Sequence, residues 1–138
     1  MNNLLTAIRS KATGSTLSTY VGGRIYLDEI PEGVPVVFPH VIYRIGGGND
    51  DDTFTEEFEE ILIQFSLISS STSATEVTTM YNRLNTLYDE CTLSITGKTF
   101  YRMHRLGPPV TTVDDVLTQD GAVRAKHWFV DYEILYEN

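Results

Sequence analysis

Residues 58–69, FEEILIQFSLIS, alternate apolar and polar side chains with a period of two. The apolar members fall on one face of an extended chain: Ile61, Ile63, Phe65 and Leu67. Gln64 and Ser66 fall on the opposite face. Because successive side chains of a strand point to opposite sides, this pattern predicts a strand with one buried face.

A second strand is predicted upstream, over residues 40–46, HVIYRIG, where Val41, Tyr43 and Ile45 share a face. The glycine-rich and acidic segment 46–57 between the two strands is expected to form a loop or a flexible hairpin tip. Before them, three prolines remove backbone donors and are expected to keep residues 30–39 out of a sheet interior: Pro31, Pro35 and Pro39.

Downstream of the first strand, residues 74–90 carry apolar side chains at helical spacing: Val77, Met80, Tyr81, Leu84, Leu87, Tyr88 and, just beyond, Cys91. Ser73 and Glu76 have the spacing of a capping box at its start. Another helix is predicted over 3–20, ending or bending at Gly14.

Further strands are predicted at 24–27, 93–97, 98–106 and 123–137, with glycine- and proline-containing turns between the later ones. Strands before and after a central helix favour the α+β class. We therefore expect one domain over residues 1–138, with a mostly antiparallel β-sheet and two main helices packed on one of its faces.

The overall charge narrows the range of functions. The 138 residues have a net charge of −9 and a pI near 4.6, whereas a nucleic-acid-binding surface needs a basic footprint. No segment approaches the roughly 20 consecutive apolar residues of a membrane span, and the N-terminus lacks the apolar run of a signal peptide. The composition predicts a soluble protein with no membrane association.

Catalytic and metal-binding patterns are absent from the sequence. His40, His104 and His127 lack metal-ligand spacing, and each is expected to be an ordinary strand residue. Cys91 ends the apolar stripe of a helix, where a thiol usually acts as a small apolar side chain. Since no nucleophile or dinucleotide motif is present either, we predict no enzymatic activity, no cofactor and no metal.

Charge is distributed unevenly along the chain. Residues 49–60 hold seven carboxylates and no basic side chain, as is typical of a solvated, self-repelling loop. A hard-cation site and an acidic channel lining or partner surface are the alternatives. Basic residues on neighbouring predicted strands would form a patch that docks one subunit onto the next. The candidate interface residues are Asp50, Asp51, Asp52, Glu56, Glu57, Arg102, Arg105, Arg124 and Lys126.

Residues 20–45, YVGGRIYLDEIPEGVPVVFPHVIYRI, resemble the tail-completion (tail-terminator) proteins of long-tailed phages and prophages. The resemblance is carried by a V-G-x-R-I-Y segment after a short helix, a proline-bearing linker and a P-x-V-x-Y strand, here Pro39, Val41 and Tyr43. The order of later elements also resembles that family. Arg24 and Tyr26, which lie in this segment, are further candidate interface residues.

The resemblance implies a structural virion protein without catalysis or cofactor. Such proteins form a ring, usually a homo-hexamer, at the head-proximal end of the tail tube. There they stop tube polymerisation and join the tail to the head. Implied partners are the tail tube protein and a head-completion or connector protein, with DNA passing through the lumen without specific binding. The implied location is the tail or neck of a virion assembled in the host bacterial cytoplasm.

Other classes of protein stay open at this point. A head-closure or connector protein would bind the portal side instead of the tube. A small ferredoxin-like enzyme would need a pocket with a perturbed acid or thiolate, and a ligand-binding module would be a monomer with a sizeable pocket.

Overall fold

A computed structural model describes residues 2–53 and 56–137, with the backbone alone at 47–53 and 56–59. In these ranges the elements are α1 Asn2–Ala12, α2 Thr16–Tyr20, β1 Ile25–Leu27, β2 His40–Thr53, β3 Glu56–Ser69, α3 Thr75–Tyr88, β4 Thr99–Arg105, β5 Val110–Thr118 and β6 Gly121–Glu137. The predicted α+β class is confirmed. No helix in the described ranges is long and apolar enough to cross a membrane.

The strands form one sheet in the order β1-β2-β3-β6-β4, and β5 also pairs with β6. Short β1 runs parallel to β2, whereas the other pairs are antiparallel. The 17-residue β6 pairs with β5 through its first half and with β4 through its last residues. The long strands β3 and β6 therefore form the centre of the sheet, and β2, β4 and β5 pair with them directly.

The helices cover one face of the sheet, and their buried side chains meet those of the predicted strand faces. At the centre, the ring of Phe65 stacks on Tyr88 at 4.9 Å and meets Tyr132 edge-on at 5.6 Å. The Tyr88 hydroxyl donates to the Ile8 carbonyl oxygen at 2.8 Å, which ties α3 to α1. This aromatic cluster confirms the apolar stripe predicted for α3 and the alternation predicted for β3.

The predicted N-terminal helix is divided at Gly14, whose φ of 76° lies in the left-handed region that favours glycine. Ser15 then begins α2, because its Oγ accepts a hydrogen bond from the Ser18 amide at 3.1 Å. The bend that the sequence predicts at Gly14 is confirmed.

Two local predictions were wrong. Residues 93–97 form no strand. Their apolar residues alternate because Leu93 and Ile95 are both buried in the core, although the segment pairs with no strand. The capping box is also absent: α3 is preceded by Ala74, and Glu76 accepts from the Ser69 hydroxyl at 2.7 Å instead. Ser73 Oγ accepts from the Thr75 amide at 3.2 Å, one residue earlier than a capping box requires.

Two further differences concern strands beyond the core. Most of the segment 46–57, predicted as a loop or hairpin tip, is strand, because β2 continues to Thr53 and β3 starts at Glu56. The register shifts between Ile45 and Gly47, leaving Gly46 as the extra residue of a bulge. Strand β5 was not predicted at all.

Candidate interaction surfaces

The acidic ribbon is the antiparallel pair formed by residues 49–53 and 56–60. Strand β6 ends opposite Phe58, so within the described ranges residues 52–53 and 56–57 of the ribbon pair only with each other. The backbone register places Asp50 opposite Glu59 and Asp52 opposite Glu57. Like charges directly across a strand pair are destabilising, so the ribbon has a local cost that a cationic partner would relieve.

Five predicted interface residues belong to this ribbon: Asp50, Asp51, Asp52, Glu56 and Glu57. Their side chains lie outside the described part of the structure, which gives their backbone positions alone. The register places Asp52, Glu56 and Glu57 beyond the end of β6, in a two-stranded extension at the start of β3, whereas Asp50 and Asp51 lie opposite residues that β6 also pairs. Such an extension lacks the third strand or helix that usually stabilises a hairpin.

A second surface, the basic groove, lies between the start of α3 and β5. It consists of two adjoining hollows of about 290 and 310 Å³ that share Val113 and Lys126 as lining residues. The Lys126 ammonium donates to the Ser71 and Thr72 carbonyl oxygens at 2.8 and 2.9 Å. Arg124 lines the same groove and is exposed. The groove is therefore shallow and is cationic at one side.

The structure does not bring the four residues of the predicted basic patch together. Arg102 lies opposite Leu135, nine residues along β6 from Lys126, which corresponds to roughly 30 Å in a strand. Arg102 forms an ion pair with Glu133 at 3.4 Å, and the Arg105 guanidinium lies 5.6 Å from the centre of the Tyr81 ring. Only Arg124 and Lys126 remain together, so the expectation of one four-residue patch was wrong.

Arg24 and Tyr26 belong to the connection between α2 and β2. Arg24 donates to the carbonyl oxygens of Pro39 at 3.0 Å and Phe38 at 3.3 Å. Tyr26 is half-buried, with its ring 6.5 Å from that of His40. Arg24 thus ties the start of this connection to its end, next to β2. The predicted role of Arg24 and Tyr26 at an interface stays a prediction.

Sequence reasoning missed the hairpin of β5 and β6. Val110, Val113 and Leu117 of β5 are exposed, Leu117 to 79%. At its tip, the Gln119 side chain accepts from the Val36 amide at 3.1 Å and donates to the Val36 carbonyl oxygen at 3.4 Å. A signal was present, because six of the nine residues of VTTVDDVLT are β-branched valine or threonine.

His40 is buried, and His127 and Cys91 are partly buried. His40 is buried against the Val37 carbonyl oxygen, and His127 lies 3.2 Å from Asp114 Oδ2. Burial lowers the pKa of both imidazoles and raises the pKa of the Cys91 thiol. In the described ranges, no group of three or more His, Cys, Asp or Glu residues could hold a metal ion.

Comparisons with known proteins show a similarity of fold. No protein-family model and no curated protein matches the sequence. The structure is similar to one chain of the solved structure "Virion of native gene transfer agent (GTA) particle". The two chains are 14% identical, with a TM-score of 0.69, and the similarity covers 96% of this chain and 93% of the other. They therefore share a fold over nearly their whole lengths.

Proposed function

We propose that this protein is a structural component of a phage-type virion and forms a ring at the head-proximal end of the tail tube. The observation that carries the proposal is the fold shared with a chain of a virion particle over 96% of the sequence. The V-G-x-R-I-Y segment and the proline-bearing linker, which resemble tail-completion proteins, favour the tube end within that particle.

The distribution of surfaces supports a ring. A closed ring of identical subunits needs two different patches that meet head to tail. The acidic ribbon extends from the N-terminal end of β3, and the basic groove lies beyond its C-terminal end. A subunit with unlike surfaces at opposite ends suits heterologous contacts, and we propose six copies because that number is usual in the family it resembles.

The charge of the chain supports the passage of DNA through such a ring. Each subunit has a net charge of −9, and like-charge repulsion keeps a DNA duplex from adhering to an acidic lumen. The partners in this proposal are a tail tube protein on one side and a head-completion or connector protein on the other. Catalysis and cofactors play no part in it.

The test is electron microscopy of particles assembled without this protein. Overlong or uneven tails beside separate filled heads are expected if the ring ends tube polymerisation. Tails of normal length with heads that leak DNA or fail to join would instead identify a head-closure protein. Normal infectious particles would contradict a structural role in the virion.

A further inference from the structure

The basic groove gathers positive charge from two kinds of source. Arg124 and Lys126 are two residues apart on β6, so both side chains point to the same face of the sheet. This is the face that the helices cover elsewhere. Ala74, which precedes α3, also lines the groove and supplies no side-chain cap. The positive end of the helix dipole therefore adds to the two cations at one rim of the groove.

Carboxylates near the groove offset only part of this charge. Asp115 lies directly opposite Arg124 on β5, while Asp114 is 3.2 Å from His127 Nδ1. Glu76, in the first turn of α3, accepts a hydrogen bond from Ser69. An anionic partner would find the two cations Arg124 and Lys126 and the start of α3, offset by the carboxylates of Asp115 and Glu76.

The groove also has an apolar side. Val113 is half-exposed, and Trp128 lies two residues beyond Lys126 on the same face. A cationic rim beside an apolar wall suits an extended peptide segment, because the wall contacts its side chains while the rim pairs with its carboxylates.

The acidic ribbon has the complementary charge but cannot reach the groove of its own subunit. Lys126 pairs with Ser69 at one end of β3, and Glu57 lies twelve residues away towards the other end. At the rise of a strand, that separation is about 40 Å. Contact between the two surfaces therefore requires two copies of the chain.

We infer that the basic groove of one copy binds the acidic ribbon of a second copy. The inference rests on the proposed ring and names the contact that closes it. Ribbon carboxylates pair with Arg124, Lys126 and the start of α3, which relieves the repulsion between Asp50 and Glu59 and between Asp52 and Glu57. Because one patch meets a different patch, the contact is heterologous and propagates from copy to copy.

The experiment is a charge exchange followed by sedimentation velocity of the purified full-length chain at low ionic strength. The first variant, R124E/K126E, reverses the groove, and the second, D50K/D51K/D52K, reverses most of the ribbon. Each alone is expected to weaken self-association at least about tenfold. Mixed in equal amounts, the two variants regain association, because the acidic ribbon of the first fits the groove of the second and the reverse also holds.

Two further variants control for net charge and fold. R9E/K11E makes the same change in net charge as R124E/K126E on α1, and it is expected to leave association close to that of the wild type. D115N removes the carboxylate opposite Arg124 and is expected to strengthen association. Circular dichroism of each variant establishes that it is folded.

Several results would overturn the inference. They are a wild type that stays monomeric, a groove variant that associates like R9E/K11E, and a mixture that does not regain association. Binding of a DNA duplex that is lost in R124E/K126E would identify the groove as a phosphate site instead. Tails that remain regular only when this protein is present would still support the ring, so the two proposals can fail separately.

Discussion

The hairpin of β2 and β3 has two halves that differ in what maintains them. In the inner half, residues 40–45 pair with 63–68, and alternate side chains are buried beneath the helices. In the outer half, the acidic ribbon, acids face acids across the pair. Burial stabilises the inner half, whereas the sequence of the outer half opposes its own pairing. The same two strands are thus maintained by burial at one end and carry opposed carboxylates at the other.

The largest effect is expected in the inner half, from Phe65→Ala. Phe65 is fully buried and contacts Tyr43, Tyr88 and Tyr132. Removing a buried aromatic ring leaves a cavity and typically costs about 3–5 kcal/mol. Urea denaturation of the purified chain measures this loss in the free energy of unfolding.

Leu117→Ala is the matched control, because Leu117 is 79% exposed on β5. Its free energy of unfolding is expected to change by no more than about 0.5 kcal/mol. A similar loss in both variants would contradict the view that burial beneath the helices maintains the inner half.

A smaller loss is expected from Tyr88→Phe, which keeps the ring and removes the hydroxyl. The Ile8 carbonyl oxygen then loses its 2.8 Å partner in a buried position. Because the Ile8 carbonyl oxygen lies within α1 and keeps its helical amide partner, the expected cost is that of one lost hydrogen bond, about 0.5–1.5 kcal/mol. The measurement is again the free energy of unfolding in urea.

The pH dependence of the same variant checks the cause. Burial raises the pKa of the Tyr88 and Tyr132 phenols above their ordinary value. The unfolded chain therefore ionises near pH 10 while the native chain stays protonated, so stability falls as the pH rises past about 10. Tyr88→Phe is expected to reduce that alkaline loss, and an unchanged alkaline slope would show that Tyr88 does not contribute to it.

The same contrast explains what the sequence could predict. Residues 58–69 could be predicted as a strand because one of their faces is buried. Burial of that face requires an apolar side chain at every second position, and this alternation is visible in the sequence. Strand β5 has no buried face in the described structure, so VTTVDDVLT has no such alternation. Residues 93–97 mislead in the opposite direction, since Leu93 and Ile95 fill the core without pairing.

The sequence did not show how far apart the candidate interface residues lie along their paired strands. The excess of acid at 49–60 is visible in the composition, but its form as a ribbon depends on the register across β2 and β3. Arg102 and Lys126 lie on neighbouring strands, as expected, yet 17-residue β6 is long enough to hold them at opposite ends. The order of strands in a sheet determines which strands are neighbours, whereas the register of each pair determines which side chains meet.

An effect on the acid side is expected from His40, the first residue of the inner half. Burial lowers the pKa of its imidazole, and the nearby Arg24 charge acts in the same direction. Below about pH 6.5 the unfolded chain binds a proton that the native chain resists, so stability falls as the pH decreases. His40→Asn is expected to flatten the stability profile between about pH 6.5 and 5. His127 shares the direction of the shift, so a profile unchanged in His40→Asn would assign the dependence to His127.

The smallest effect on stability is expected in the outer half, from D50N/D51N/D52N. Removing like charges opposite Glu57 and Glu59 relieves repulsion worth about 0.2–1 kcal/mol for each pair. The free energy of unfolding should therefore stay the same or rise slightly, in contrast to the loss in Phe65→Ala.

If the ribbon acts on a partner, ring docking or DNA passage should nevertheless change, and infectivity measured with the same variant should fall. A variant that is as stable and as infectious as the wild type would remove any role for these carboxylates. A variant that unfolds would show instead that these carboxylates stabilise the fold.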